Sequence, residues 1–549
     1  MAITSLPAAD YNSDFRRTQR NTANDPFASV AVYSDQQSAA LPFLIPTSYC
    51  SRPELFLEEA AQTYIPKNCY ESDSAYSIRL SSALSSFEPF YRSLKGVTVG
   101  TALRKPISLA DELSTPEWDA LLNNATLEGD SLTIFARRLL ESAIDSGWAG
   151  ILIDFPKVEG VLNLAQEKSM GLRPYFSMIP MADVLGWQTT SETIQIGDEV
   201  KYGERLTQLR IRDSVSEPDP EDEFHQITRP AVRVFDQPDS DGIVTCRLFV
   251  LRAANQGEQE RWTLEDESAL SIPLIPFVPT YAGVQEGFMR SRPMLLDIAR
   301  LNLSHWQTSA DLAHSLHLTA SPTLVISGVQ TAGENADVSV SPDKSLFLAD
   351  PTSKAEWIGA PSNGADMMLK RLATLETAMQ HLAPVQLQQK STTGVEAAAA
   401  KKLDRAQSDA QLSVIVSQLE DALNQALAIA ALYFQIDPVE LKLPRDFTPD
   451  TMEPAEVKEW ANLVASGNLS QDTFLRKLAA AEAFDALDEW SVEEEVERIQ
   501  EEAPALDLEQ LPEEELEEPD DELPPDNEQE EEGDQMLDGE VTPNEAEAN

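Results

Sequence analysis

Five histidines, three cysteines and 93 acidic residues are the side chains with which this chain of 549 residues could do chemistry. Three of the histidines, His305, His314 and His317, fall in one stretch that reads as a single helix, with His225 and His381 elsewhere. At an i, i+3 spacing His314 and His317 share a helix face, and Asp311 adds a carboxylate one turn earlier, the donor set of a metal-dependent hydrolase. The H-E-x-x-H pattern is missing, and histidines on a helix surface or in a subunit contact are the reading the sequence favours. Carboxylate pairs such as Glu58/Glu59 and Glu217/Asp219 arise by number alone in so acidic a chain, and no apolar setting singles one out as a general acid. Asp154 closes the apolar run GILIDFP, where Pro156 stops the strand directly afterwards, so a structural turn outranks a catalytic role.

Other reactive patterns fail on inspection. The loop DQPDSDG resembles a calcium site, but aligning Asp239, Asp241 and Gly242 to the EF-hand puts Gln237 at the first ligand and Leu248 where a bidentate Glu belongs. Neither G-x-x-x-x-G-K-[ST] nor G-x-G-x-x-G occurs, which argues against an ATPase motor, and G-x-S-x-G is missing too. Cys50, Cys69 and Cys246 are odd in number and never spaced CxxC, so a reducing compartment is expected, with neither disulfides nor a cysteine zinc site. The expectation is a non-enzyme with no cofactor and no metal.

The elements that would position any site read in three regimes. Residues 1–50 are polar and without a sustained period, which predicts an extended or partner-dependent arm. Asp130 is placed as the N-cap of a helix with Leu132, Phe135, Leu139 and Ala143 on one face and Gly147 at its end, running into a strand over Gly150 to Asp154. From 205 to 265 the pattern is antiparallel sheet, with Ala231 to Phe235 and Ile243 to Leu251 joined at Asp241-Gly242.

After Pro293, taken as a helix start, no breaker appears until Ser321-Pro322, predicting a helix of about 27 residues and roughly 40 Å. Thr323 to Ile326 and Leu346 to Leu348 then read as strands, and Ala365 to Leu382 as a second helix. Thr393-Gly394-Val395-Glu396 fits a capping box, and no breaker follows before Pro438, predicting a helix of about 40 residues with Leu403, Ala410, Leu419, Leu423, Ala426 and Ala430 on its packed face. Pro454 to Ser466 and Asp472 to Asp488 read as a shorter pair.

Charge divides the chain again. With 41 Lys+Arg the formal net charge is −52, and residues 501–549 hold 22 Asp/Glu with no Lys or Arg, a composition expected to be disordered. Such a tail serves solubility or acts as a polyanion toward basic sites. Taking those 22 from 93 leaves 71 acids against 41 bases over residues 1–500, about −30 for the body. Tight DNA binding and docking on an anionic membrane both need clustered Lys and Arg, so this balance excludes them. The longest strongly apolar stretch, Ala426 to Phe434, is far below the roughly 20 residues of a membrane span, and the N-terminus does not read as a secretory signal.

Five segments carry a family resemblance: GWAGILIDFP (147–156), GLRPYFSMIPMADVLGWQ (171–188), IPFVPTYAG (275–283), RPMLLDIARLNLSHWQTSADLAHSLHLTASPTLVISG (292–328) and GVEAAAAKKLDRAQSDAQLSVIVSQLEDALNQAL (394–427). Together with the order helix, small β insert, helix, polar loop and very long helix, they resemble tailed-bacteriophage portal proteins, the head-to-tail connectors, over roughly residues 75–450. The lineage is one often described as a domain of unknown function.

The resemblance implies an α+β portal-type fold. It places an N-terminal arm at 1–75, an α/β wing at 76–292, stem helices at 293–320 and 362–383, a clip at 321–361 and a tunnel loop at 384–394. The long wing helix and its return would occupy 395–453, a helical crown 454–490 and the acidic disordered tail 491–549. The implied assembly is a ring, dodecameric in the family, at one capsid vertex of the virion. It is put together in the host cytoplasm, passes double-stranded DNA non-specifically during packaging and ejection, and docks the terminase large subunit, coat protein and tail adaptors without a membrane.

Tunnel-loop residues would be Gln386, Gln388, Gln389, Lys390, Ser391, Thr392 and Thr393. Lys370 and Arg371 would face the channel from the stem, with pairing to a neighbouring subunit's acids as the competing role, and Gln330, Glu334, Asp337, Asp343 and Lys344 would meet partners on the clip. The competing reading is an acidic capsid scaffold or adaptor without a DNA channel, against which the β-rich 205–265 region weighs; the hydrolase on the His314/His317 face ranks third.

Overall fold

The computed structural model describes residues 27–480 apart from 68, 70, 110–114, 158–169, 197–198, 220–221, 240–241, 254–259, 321–322, 328–353, 359–362, 384–397, 446 and 448–453, together with 495, 496 and 498. Of the predicted disordered tail at 491–549 only 495, 496 and 498 are described, and these are helical; the rest lies outside the described residues. Two compact units are present, Met1–Thr448 and Pro449–Asn549. Helices and antiparallel sheets are segregated, the α+β arrangement expected.

Of the expected N-terminal arm, residues 1–26 lie outside the described residues, and from Asp35 onward the chain is mainly helical. α1 (Asp35–Ser51) and α2 (Pro53–Tyr64) are followed by α3 (Asp73–Ser85) and α4 (Phe90–Ala102). α1 escapes the sequence reading because Pro42 and Pro46 interrupt its interior and its apolar residues form no stripe. It is held instead from several sides, touching α2, α4 and four elements introduced below.

A two-residue strand β1 (Ser108–Leu109) and α5 (Pro116–Asn123) lead to α6 (Leu132–Ser146). The N-cap of α6 is Ser131, whose Oγ accepts the Ile134 amide at 3.4 Å; Asp130, the predicted cap, pairs with Arg138 instead. Leu132, Phe135, Leu139 and Ala143 are all buried, as their spacing requires. Gly147 ends the helix at φ +90, where an added Cβ would lie 2.6 Å from the Ser291 carbonyl oxygen.

β2 (Trp148–Asp154) is the central strand of a three-stranded sheet, between β3 (Tyr175–Pro180) and β9 (Phe277–Tyr281). Its first six residues are all buried, which is why they read as one apolar run instead of alternating. The second sheet is a five-stranded antiparallel meander of β4 (Val184–Ile196), β5 (Glu199–Pro218), β6 (Gln226–Asp236), β7 (Thr245–Ala253) and β8 (Glu260–Ala269). It includes the predicted hairpin, with Asp236 opposite Thr245, and starts some twenty residues earlier than expected. Gln237, at the first position of the rejected calcium pattern, is buried and donates from Nε2 to the carbonyls of Gly242 (3.1 Å) and Pro273 (2.7 Å).

A hairpin of β10 (Gly283–Gly287) and β11 (Arg290–Pro293) precedes α7 (Leu296–Ala320). After α7 come β12 (Thr323–Ser327), β13 (Lys354–Ile358), α8 (Asn363–Leu382), α9 (Ala398–Phe434) and β14 (Leu441–Lys442), which pairs with β1. One apolar cluster runs from α1 through α9, a second joins the two sheets, and a third lies on the other face of the meander.

In the second unit α10 (Pro454–Ala465) and α11 (Gln471–Ala480) form a pair as predicted. Ser470 caps α11 by accepting the Thr473 amide at 3.2 Å, one position ahead of the predicted start.

Candidate functional site

The segments read from sequence as two helices around a small β insert, followed by a very long helix, hold α7, the β12–β13 pair, α8 and α9. α7 starts at Leu296 rather than at Pro293, because Pro293 belongs to β11, opposite Gly283. There its missing amide costs nothing at the strand end.

The RP-x-LLD-x-A-x-LN-x-x-H segment is explained by anchoring. Arg292 and Arg300 both pair with Asp297, at 3.1 and 3.3 Å, while Leu295, Leu296 and Ala299 are buried. Buried Asn302 accepts the Tyr91 amide at 2.9 Å and donates to the Glu88 carbonyl at 2.9 Å, serving the N-terminus of α4, whose own cap position is a proline. Trp306 Nε1 donates to the Ala83 carbonyl at the end of α3 (2.8 Å), and Gln307 to the Tyr64 carbonyl at the end of α2 (2.7 Å). One helix thereby supplies partners for exposed backbone groups at the ends of three others.

α8 runs antiparallel to α7 and packs principally against it. His305 Nε2 lies 3.3 Å from Glu376, and its ring meets Phe90 edge-on at 5.0 Å. Nearer the far end Arg371 lies along α7, donating to Thr308 Oγ1 (3.3 Å) and Ser304 Oγ (3.4 Å). Lys370 and Arg371 are both exposed, yet they do different things: Arg371 bridges to α7, and Lys370 points its charge to solvent beside Met367 and Leu369. The pair β12–β13 continues the hairpin, from Thr323 opposite Ile358 to Ser327 opposite Lys354. The described partner strand is thus Lys354–Ile358; the predicted one at 346–348 lies outside the described residues, as do Gln330, Glu334, Asp337, Asp343 and Lys344. So do Gln386, Gln388, Gln389, Lys390, Ser391, Thr392, Thr393 and the capping box.

α9 spans 37 residues, about 55 Å. Leu412, Val416, Leu419, Leu423, Ala426 and Ala430 are buried at alternating spacings of four and three, a heptad-like seam. Ala410, predicted on this face, is exposed, because the seam passes through Leu412. Asn424 holds β14 by accepting the Leu441 amide at 2.7 Å, and Glu420 accepts the Leu443 amide at 2.8 Å.

The other candidates resolve into structural roles. His314 is half-buried and His317 exposed, and among the described residues no group of three His, Cys, Asp or Glu is placed to hold a metal ion. Asp154 accepts from Arg233 (2.7 Å), Tyr175 (3.2 Å) and the Phe155 amide (2.9 Å), the turn role its sequence setting favoured. Burial, with help from Asp154, pushes the Tyr175 hydroxyl up to about 12. Glu217 is held below the usual carboxylate range by hydrogen bonds from Arg252, and Asp219 pairs with His225 at 3.0 Å.

Sequence reasoning missed a polar knot joining α1, α4 and α6. Asp145 accepts from Ser51, Lys95 and Tyr91, each at 2.8 Å, and Lys95 also reaches Ser51 at 2.5 Å. Ser51 thus accepts from Lys95 and donates to Asp145, and the knot ties the three helices together.

A family model described as a domain of unknown function, DUF4055, matches residues 294–434, a span ending with α9. No curated protein matches the chain. Among solved structures, a chain of "Virion of native gene transfer agent (GTA) particle" is similar at 12% identity and TM-score 0.35, over 77% of this chain and 98% of that one. A chain of "Neck of empty GTA particle computed with C6 symmetry" has 12% identity and TM-score 0.37 over 76% and 95%. A chain of "Neck of native GTA particle computed with C12 symmetry" has 12% identity and TM-score 0.36 over 73% and 92%.

Proposed function

We propose that this chain is a portal protein of a tailed bacteriophage: a non-enzymatic ring at one capsid vertex that conducts double-stranded DNA and docks the packaging and tail machinery. The observation that carries the reading is the unit of α7, the β12–β13 pair, α8 and the 37-residue α9, in the order and at the positions where the sequence resembles portal stem, clip and wing helix. α7 is tied by Asn302, Trp306 and Gln307 to the ends of three helices, while α8 leans mainly on α7, as suits a hairpin projecting from a braced body.

Charge supports a conduit. DNA carries one negative charge per about 1.7 Å of axis, and a wall making many basic contacts would trap it through counterion release. A body of about −30 repeated around a ring repels DNA within a Debye length of roughly 8–10 Å and lets it slide. Lys370 would give weak centring contacts, whereas Arg371 is engaged with Thr308 and Ser304. Terminase, coat protein and tail adaptors are the partners this reading requires, with assembly in the host cytoplasm.

The test is negative-stain imaging of the purified chain at high concentration across ionic conditions. Rings with a central channel are expected. A monodisperse monomer under every condition would overturn the reading.

A further inference from the structure

The outer face of the five-stranded sheet presents Leu185, Val232, Val234, Phe249, Leu251 and Trp262, all buried. Among the described residues their cover is the short segment 27–34, which places Val30, Ala31 and Tyr33 over them and sets the Phe27 ring, tilted, against Phe249 at 5.1 Å between ring centres. This segment has one 3-10 turn, Ala28–Ala31, and otherwise irregular backbone.

Its fastening is concentrated on two arginines of β5. Arg210 Nη1 donates to the carbonyls of Ser29 (2.8 Å), Val30 (3.1 Å) and Val32 (3.0 Å), and Arg212 Nη2 donates to the Tyr33 hydroxyl (2.7 Å), which donates to the Ala182 carbonyl (2.9 Å). Gly186 leaves room for this arrangement, since a Cβ there would fall 2.7 Å from Arg210 Nη2 and 2.9 Å from Ser34 Cβ. The segment ends at Ser34, whose amide donates to the Leu185 carbonyl at 2.8 Å and whose hydroxyl caps α1. The end of the cover at Ser34 is therefore defined, and its attachment uses backbone carbonyls and a few apolar side chains, features an identical segment from another molecule would present equally.

We propose that residues 27–34 are a transferable clasp, and that the sheet face beneath is an interaction surface which accepts residues 27–34 of its own chain or, once these are displaced, of a second copy. Recognition consists of a short apolar segment with one 3-10 turn laid on Phe249 and Trp262, with three carbonyls presented to Arg210. A short peripheral segment held by a few side chains opens at lower free energy than a core strand, so the clasp undocks while the sheet stays folded. Exchange between copies then needs no new contact, the condition under which swapping an element is least costly.

The experiment uses the full chain and a fluorescent peptide of residues 27–34, FASVAVYS. Ala31→Asp puts an unpaired carboxylate into the apolar contact and frees the clasp without altering the sheet. The A31D protein should bind the peptide saturably, at least tenfold more tightly than the unmodified protein, whose own clasp competes; adding R210M should abolish the difference. A folded A31D protein that does not bind, or equal binding by the unmodified protein, overturns the proposal. Hydrogen exchange on the unmodified chain decides independently of whether A31D folds: amides of 27–34 should exchange at least tenfold faster than those of β2, and exchange at the β2 rate overturns it.

Discussion

Asn302 completes a helix to which it does not belong: its side-chain oxygen accepts the Tyr91 amide at 2.9 Å, in the first turn of α4, across 211 positions of sequence. A helix starting at Phe90 after Pro89 has no side chain of its own for this work, and water cannot reach the amide, because Asn302 is fully buried.

Replacing Asn302 by Ala leaves the Tyr91 amide and the Glu88 carbonyl unsatisfied, a cost of about 1–3 kcal/mol for each buried polar group so stranded. Asn302→Asp keeps the acceptor but buries a carboxylate against the Glu88 carbonyl, so it should melt no higher than Asn302→Ala. Thermal melts of the three proteins check the order. Equal melting of wild type and Asn302→Ala would show that the cap contributes nothing.

This pair also marks where sequence stops being informative. α6, β2 and the β6–β7 hairpin are legible because their signals are local: a 3.6-residue period over Leu132, Phe135, Leu139 and Ala143, an apolar run, a turn dipeptide. α1 is illegible because its two prolines and several-sided burial erase the stripe. The polar knot at Asp145 and the work of Asn302 depend on partners scores to hundreds of positions away, which no spacing announces. For the histidines spacing alone says little: His314 and His317 share a face, and among the described residues no group of three His, Cys, Asp or Glu is placed to hold a metal ion.

Alkaline pH should weaken the fold in a defined window. Tyr175 and Tyr49 are raised to about 12 by burial first, and then by Asp154 and Glu59 respectively. A raised folded-state value means the folded protein holds the proton more tightly, so the stabilisation is intact below the unfolded tyrosine value near 10 and is lost as pH rises toward 12. Melting temperature should therefore fall across pH 10–12, and Tyr175→Phe should fall less steeply. A Tyr175→Phe profile parallel to the wild type would show that this hydroxyl does not titrate with unfolding.

Lys370 and Arg371 are adjacent, exposed and both basic, yet the geometry assigns them separate work. Arg371 bridges α8 to Thr308 and Ser304 on α7, contacts worth about 1 kcal/mol together at an exposed site, or about fivefold in a local opening constant. Arg371→Ala should accordingly speed amide exchange in α8 several-fold, and Lys370→Ala should leave it unchanged. If the chain forms the proposed DNA-conducting ring, the pattern should invert: removing Lys370 would delete a phosphate contact and reduce the salt dependence of DNA retention, because fewer counterions are released, while removing Arg371 would leave the salt slope as it was. If both substitutions changed the salt slope equally, the hairpin would present both cations to DNA, and the separation of a structural from a conducting base would be wrong.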